Sequence, residues 1–134
     1  MPDLSALVTA FYRDLWNRWD DAAVPDVLAE DFSFRGTLGD RTHGCDQWRA
    51  YRDKVRRAAP DFTNTVLDLV VQDDRAAARL RFAGTHEGEL LGIAPTYRPF
   101  AYEGAAFFAG AGGLLADAWV LGDIDGLRRQ LQQP

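Results

Sequence analysis

The sequence predicts an α+β fold in which the helices come first and the strands follow. Two stretches in the first 60 residues repeat apolar residues at spacings of three and four, which is typical of helices with one buried face. The second half instead contains short runs of β-branched and aromatic residues separated by Gly, Pro and Asp. Helices grouped ahead of strands, rather than alternating with them, indicate an α+β domain.

The predicted helices have recognisable stop signals. A first helix is expected over 4–19, where Asp20 and Asp21 interrupt the apolar pattern, and a short second helix over 24–29. A third is expected over 46–58 and ends before Pro60, which disfavours helical backbone in the preceding residue. Three helices therefore precede most of the sheet.

Five strands are expected after or between these helices. They are predicted over 32–36, 62–71, 76–85, 100–108 and 114–124. Such strands form a curved, mainly antiparallel sheet, and the amphipathic helices cover its concave side. The hollow of such a sheet is the natural ligand site.

Length and charge restrict the class of partner. The 134 residues suit a single domain spanning 1–134, and 47% hydrophobic residues suffice for a core. Fifteen basic and 20 acidic residues give a net charge of -5, which argues against nucleic acid. No apolar run is long enough for a membrane span and no signal peptide is apparent, so we expect a cytoplasmic protein.

The same composition argues against metal and redox chemistry. Cys45 is the single cysteine, so no internal disulfide can form, and no Cys/His spacing suggests zinc. We expect no metal and no cofactor. The predicted partners are a small molecule and a second copy of the chain.

The last predicted strand contains a candidate general base. Side chains alternate in direction along a strand, so Asp117, Trp119, Leu121 and Asp123 share one face. A carboxylate on an inward face beside apolar groups has a raised pKa and can accept a carbon-bound proton. Asp123 is therefore predicted to lie in the cavity, although it could instead cap the residues that follow it.

Three sequence features together suggest a family. They are the segment 84–96, the Trp119-x-x-x-Asp123 spacing, and Gly126-Leu127-x-x-Gln130-Leu131 near the end. In this order the chain resembles the SnoaL-like polyketide cyclases of the nuclear transport factor 2-like superfamily, which also contains ketosteroid isomerases and limonene epoxide hydrolases. The resemblance covers essentially the whole chain.

The resemblance implies a fold, which is a cone-shaped α+β barrel with three N-terminal helices packed on the curved sheet, and a reaction. In the family's cyclases, a polyketide ester closes its last ring inside the cone by intramolecular aldol condensation, with neither cofactor nor metal. The family's acid/base aspartate corresponds to Asp123. A histidine or other polar residue often precedes that aspartate by 14 positions, and Ala109 stands there in this chain.

Two alternatives stay open, the first because of Ala109 and the second because the superfamily also uses this fold for ligand carriers and dimerisation domains. One is a tailoring reaction in the same cavity, such as hydroxylation, isomerisation or epoxide hydrolysis. The other is a non-catalytic binding or dimerisation module, which a cavity filled by aromatic side chains and lacking an unpaired carboxylate would favour.

Further site residues are expected from their chemistry. His86 is a second catalytic candidate because imidazole titrates near neutral pH, although a histidine at a strand end more often fixes a loop. Four Trp, four Tyr and eight Phe are enough for both a core and a binding wall for a hydrophobic polycyclic substrate. The predicted substrate-binding residues are Trp16, Trp119, Arg35, His43, Tyr51 and Tyr102.

The outer face of the sheet is expected to pair with another copy. It would carry residues such as Val66, Asp68, Arg79, Arg81 and Glu103, and the helices would leave it uncovered. An open curved sheet normally buries such a face, so a homodimer is predicted.

Overall fold

Four helices pack on a six-stranded sheet in the computed structural model, which describes residues 3–133. The helices are α1 (Leu4–Ala10), α2 (Val24–Val27), α3 (Cys45–Ala58) and α4 (Ile124–Gln132). The strands are β1 (Leu28–Arg35), β2 (Arg41–His43), β3 (Thr63–Gln72), β4 (Arg75–Thr85), β5 (Pro99–Ala111) and β6 (Leu114–Gly122). The predicted α+β fold with a mainly antiparallel sheet is confirmed.

The sheet is mixed and open. Its strand order is β2-β1-β6-β5-β4-β3, and β1 runs parallel to β6 while every other neighbouring pair is antiparallel. The parallel pair joins the first strand to the last, so β2, α3 and the strands β3, β4 and β5 lie between them in sequence. The edge strand β2 was not predicted because its three residues are polar and lie among turn residues.

The first helix changes its geometry halfway. The side chain of Asp3 caps α1 by accepting a hydrogen bond from the Ala6 N–H at 2.8 Å. The helix then widens into a π-helical turn, Phe11–Trp16. The N–H of Asn17, which caps this turn, donates to the Tyr12 carbonyl at 2.9 Å. It ends at Trp16 rather than at the predicted Trp19, which has a left-handed φ of 56°.

The second helix is also shorter than predicted. Val24–Val27 follows a 3₁₀ turn, Asp21–Ala23, and Leu28 already has extended backbone at φ -104° and ψ 135°. Leu28 pairs with Leu115 of β6. Residues 28 and 29, which were predicted to be helical, therefore belong to strand β1.

Helix α3 matches its prediction and carries a buried cation. Its inward face contains Trp48, Tyr51, Arg52, Val55 and Ala58. The Arg52 guanidinium is buried, ion-pairs with Asp21 at 2.7 Å, and lies 5.3 Å from the ring centre of Trp48. Arg52 therefore ties α3 to the 3₁₀ turn before α2.

A β-bulge in β6 reverses which side chains face the core. Ala109 pairs with Asp117 and Gly110 pairs with Leu115, so Ala116 is an extra residue without an opposite partner. Leu115 is buried before the bulge, whereas Ala118 and Val120 are buried after it. The odd-numbered residues after the bulge consequently point to the outer face.

The C-terminal helix α4 was not predicted. Strand β6 ends at Gly122, and α4 covers the part of β5 that extends beyond this end. Its Gln130 amide accepts from the Ala101 N–H at 3.0 Å and donates to the Ala101 carbonyl at 2.7 Å. Gln130 thus replaces the missing neighbouring strand at this edge.

Hydropathy along the described helices gives one further result. Between residues 3 and 133, no helix combines the length and the apolar character that crossing a bilayer requires.

Candidate functional site

The helices and the concave face of the sheet enclose a narrow cavity. Its volume is about 40 Å³, and it lies between the first helix, α3 and the inner side chains of the strands. Half of its lining residues are aromatic, and the non-phenolic ones are Trp16, Phe34, Phe62, Phe82 and Phe100. The site is an aromatic pocket.

Strand alternation places most of these rings. Phe82 on β4 pairs with Tyr102 on β5, both side chains face inward, and their ring centres are 4.9 Å apart. Phe62 stacks on Phe82 at 6.1 Å, and Trp16 meets Tyr51 edge-on at 6.2 Å. Close edge and stacked contacts of this kind fix the walls.

A cluster of hydroxyl groups interrupts the apolar lining. Tyr51 from α3, Tyr102 from β5 and Thr37 from the turn after β1 all contribute to the wall. Tyr102 interacts with both Tyr51 and the Thr37 side chain. Gly36 leaves the space that the Tyr51 hydroxyl occupies, because a Cβ there would overlap this oxygen.

Both tyrosines are held in their neutral form. Burial raises the pKa of the Tyr51 hydroxyl, against a smaller opposing effect of a backbone hydrogen bond with Leu38. Burial also raises the pKa of Tyr102, the proximity of Tyr51 adds to it, and the hydrogen bond with Thr37 opposes it. At neutral pH the cavity therefore offers phenol donors rather than phenolates.

Among residues 3–133, the cavity wall has no group that ordinarily acts as a base. Within the described part of the chain, none of its lining residues is Asp, Glu, His, Lys or Arg. The polar lining residues beyond the hydroxyl cluster are Tyr12 and Asn64. Between residues 3 and 133, no group of three or more His, Cys, Asp or Glu side chains is arranged to hold a metal ion.

The expected position of Asp123 in the cavity is wrong. Asp123 follows the end of β6 and is the N-cap of α4, where its exposed carboxylate accepts from the Gly126 N–H at 2.9 Å. The strand ends one residue too early for alternation to apply to Asp123. The alternative role as a cap is the one found.

Trp119 and Arg35 lie on the outer face, contrary to the prediction. The bulge at Ala116 turns Trp119 outward, where it is 37% exposed. Arg35 lies over the Trp119 ring at 5.4 Å and donates from Nη1 to the Val120 carbonyl at 2.6 Å. Neither residue lines the cavity.

The two histidines also lie outside the cavity lining. His86 is fully buried, and its Nδ1 accepts from the Thr96 N–H at 3.2 Å and lies 3.0 Å from Thr96 Oγ1. These bonds fix the loop after β4. His43 is exposed on the edge strand β2, and its backbone N–H donates to Gln47.

The position of Ala109 loses its expected significance. Its pairing partners are Arg75 and Asp117, both exposed, so it belongs to the outer face of β5. A polar side chain at this position would point away from the cavity.

Three expected binding residues do lie in the wall. Trp16, Tyr51 and Tyr102 line the cavity, and their contact with a substrate stays a prediction. Sequence reasoning missed Tyr12, although it precedes Trp16 by four residues on the same helical face. It also missed Thr37, which no periodic pattern marks because it lies in a turn.

The chain was compared with protein families and solved structures. The model of the family described as SnoaL-like polyketide cyclase matches residues 6–131. No curated protein sequence is significantly similar to the chain.

Solved structures match over nearly the whole length. TsrD from Streptomyces laurentii is 29% identical with a TM-score of 0.84, covering 98% of each chain. IdmH from Streptomyces antibioticus, assigned to the polyketide cyclases, is 27% identical with a TM-score of 0.81, covering 96% of this chain and 98% of its own.

A third structure shows the shared fold at lower identity. AclR from Streptomyces galilaeus, assigned as a hydroxylase, is 21% identical with a TM-score of 0.79, covering 97% of this chain and 96% of its own. The family match and the helix-backed open sheet agree with the resemblance seen in the sequence. The chain belongs to the SnoaL-like polyketide cyclase family of the nuclear transport factor 2-like fold.

Proposed function

We propose that the cavity binds a planar, mainly apolar polyketide ester and promotes closure of a ring by intramolecular aldol condensation. Tyr51 and Tyr102 hold the carbonyl oxygen that is attacked. The family membership supports the reaction class. The observation that carries the proposal is a pair of neutral phenols within an aromatic wall whose described residues include no Asp, Glu, His, Lys or Arg.

The proposed step needs no protein base. A 1,3-dicarbonyl compound is partly enolised, and its enol carbon attacks a second carbonyl carbon of the same molecule. A carbon–carbon bond forms, the attacked oxygen gains negative charge, and the enol proton ends on that oxygen. Phenol donors in a water-poor cavity stabilise the developing charge before the proton arrives.

Substrate entry requires the wall to move. A volume of about 40 Å³ holds only a few water molecules. Thr37 and Leu38 lie in the turn between β1 and β2, and Leu90 lies in the connection from β4 to β5. We propose that these connections move apart when a ring system enters, because the strands and α3 are held by continuous hydrogen bonds.

The test uses an aromatic polyketide ester whose last ring is open. Ring closure retains its composition or loses one water, whereas hydroxylation adds one oxygen, so mass spectrometry separates the alternatives. Tyr51→Phe and Tyr102→Phe should each slow closure at least roughly tenfold, as expected for loss of an oxyanion donor. Unchanged rates in both variants would refute the assigned role.

The second candidate function is binding without chemistry. It is favoured by the lining itself, since no described lining residue can act as a base at neutral pH without an unusual pKa shift. The same experiment distinguishes the two functions. Saturable binding of the open-ring ester with no faster closure than in buffer would establish a carrier or sensor.

We also propose that the chain forms a homodimer through the outer face of its sheet. Phe107 is 53% and Leu121 44% exposed, and Phe107 packs beside Trp119 with ring centres 6.0 Å apart. On the same face, exposed Arg81 of β4 lies opposite exposed Glu103 of β5 in the strand register. Two copies therefore offer complementary charges around an apolar centre.

Sedimentation velocity tests this interface. The wild-type chain should sediment as a dimer at micromolar concentration, and Leu121→Glu should shift it to a monomer. Thr9→Glu, at an exposed position of α1 on the opposite side of the sheet, adds the same single negative charge and is the control. A monomeric wild-type chain would contradict the proposal.

A further inference from the structure

Tyr12 has a polar atom that no residue between 3 and 133 contacts through a hydrogen bond. It is 3% exposed, and within the described part of the chain its hydroxyl forms no hydrogen bond. Tyr12 also forms part of the cavity wall. A buried hydroxyl without a partner destabilises a fold, and a phenylalanine would avoid that cost. The Tyr12 hydroxyl is therefore available for a hydrogen bond with a molecule that enters the cavity.

The backbone supports a role for Tyr12 in the site. It lies in the π-helical turn Phe11–Trp16, and π-helical turns occur frequently at functional sites. The same turn brings Trp16 into the wall. Reciprocal hydrogen bonds between Asn17 and Asn64 then fix the end of this turn on β3, at 2.9 Å and 2.8 Å.

Tyr12 lies away from the hydroxyl cluster. Its ring meets the ring of Phe108 edge-on at 6.1 Å. Tyr102 precedes Phe108 by six residues on β5, so the two lie at different levels along this strand. The cavity thus has one phenol toward the end of β5 and the other hydroxyls, from Tyr51 and Tyr102, toward its start.

We propose that the Tyr12 hydroxyl determines specificity by donating a hydrogen bond to an oxygen at the inner end of the ligand. The ligands selected are planar apolar molecules with acceptor oxygens at both ends. This inference rests on the proposed binding of a small molecule in the cavity. Burial raises the pKa of Tyr12, so its hydroxyl remains protonated and can donate.

Three probes of one ring system test the inference: naphthalene, 2-acetylnaphthalene and 2,6-diacetylnaphthalene. Binding is measured by calorimetry for the wild type and for Tyr12→Phe. The second acetyl group should improve wild-type affinity about three- to tenfold, the usual gain from one neutral hydrogen bond. In Tyr12→Phe this gain should disappear, while affinity for naphthalene is retained.

Two controls separate this role from a structural one. Tyr97→Phe makes the same chemical change at a residue that is 70% exposed, and it should keep the gain from the second acetyl group. Thermal unfolding of Tyr12→Phe should occur at the wild-type temperature or higher, because the variant buries no unpaired hydroxyl. If Tyr12→Phe does not fold, Tyr12→Met provides the same comparison.

The possible failures are distinguishable. An equal gain in affinity from the second acetyl group in wild type and Tyr12→Phe would overturn the inference and leave cavity binding intact. A water molecule that stays bound to the Tyr12 hydroxyl when the probe binds would have the same consequence. No binding of any probe to the wild-type chain would overturn both the inference and the proposed function.

Discussion

At the scale of single residues, the environment of each polar group decides its role. Asp123 has an exposed carboxylate committed to the first turn of α4, whereas Tyr51 and Tyr102 have buried hydroxyls in the cavity wall. The Asp123 carboxylate is exposed to solvent and lies outside the cavity. The phenols keep their protons and can act as donors.

The capping role of Asp123 predicts a specific pattern of stabilities. Asp123→Ala should lower the free energy of unfolding by about 1 kcal/mol, because the Gly126 N–H loses its acceptor. Asp123→Asn should change it by less than about 0.5 kcal/mol, since Asn caps almost as well. Urea unfolding measures both values.

Asp125 is the matched control for this prediction. It lies two residues later and forms an exposed ion pair with Arg129 at 3.3 Å. Asp125→Ala should cost less than about 0.5 kcal/mol, as for other exposed helical pairs. A larger loss for Asp125→Ala than for Asp123→Ala would contradict the assignment of the cap.

At the scale of elements, the sequence predicted those with strong periodic patterns. The apolar spacing of α3 and the alternation in β4 and β5 correspond to observed buried faces. Other features depend on pairing between distant segments. The bulge at Ala116 arises from how β5 and β6 pair, and it reverses the predicted facing of Trp119.

The site was less predictable than the fold for the same reason. Trp16, Tyr51 and Tyr102 follow helical or strand patterns, and their place in the wall could be anticipated. Thr37 enters through a turn, and Tyr12 is distinguished from ordinary core only by its unpartnered hydroxyl. The spacing of residues in the sequence shows neither that the Thr37 turn reaches the cavity nor that the Tyr12 hydroxyl has no partner among the described residues.

The attachment of α4 to β5 gives a prediction at this scale. Gln130→Ala removes both hydrogen bonds to Ala101 and should lower the free energy of unfolding by about 1–3 kcal/mol. Gln132→Ala, in the same helix and exposed, should change it by less than about 0.5 kcal/mol. Equal effects of the two changes in urea unfolding would show that the Gln130 amide does not hold the edge.

At the scale of the whole molecule, three buried tyrosines couple stability to alkaline pH. Burial raises the pKa of Tyr12, Tyr51 and Tyr102 above the ordinary tyrosine value of about 10. The unfolded chain therefore loses these protons at lower pH than the folded chain does. Stability is fully present below about pH 10 and decreases as pH rises above it.

The size of this decrease is measurable. Each tyrosine should contribute about 1.4 kcal/mol per pH unit above about pH 10. Replacing Tyr51 with Phe should reduce the contribution of the three by about a third. Chemical denaturation between pH 9 and 11 (roughly the range around the tyrosine pKa) gives the slope. Because Tyr97 is exposed, the contradicting result is tyrosinate absorbance from more than one of the four tyrosines in the folded protein near pH 10.

The most direct test of the account compares two variants in ring closure of the open-ring polyketide ester. One is Asp123→Asn, and the other combines Tyr51→Phe with Tyr102→Phe. The account predicts a rate near wild type for Asp123→Asn and a loss of at least roughly a hundredfold for the double tyrosine variant. A loss of closure in Asp123→Asn with a wild-type rate in the tyrosine variant would contradict it.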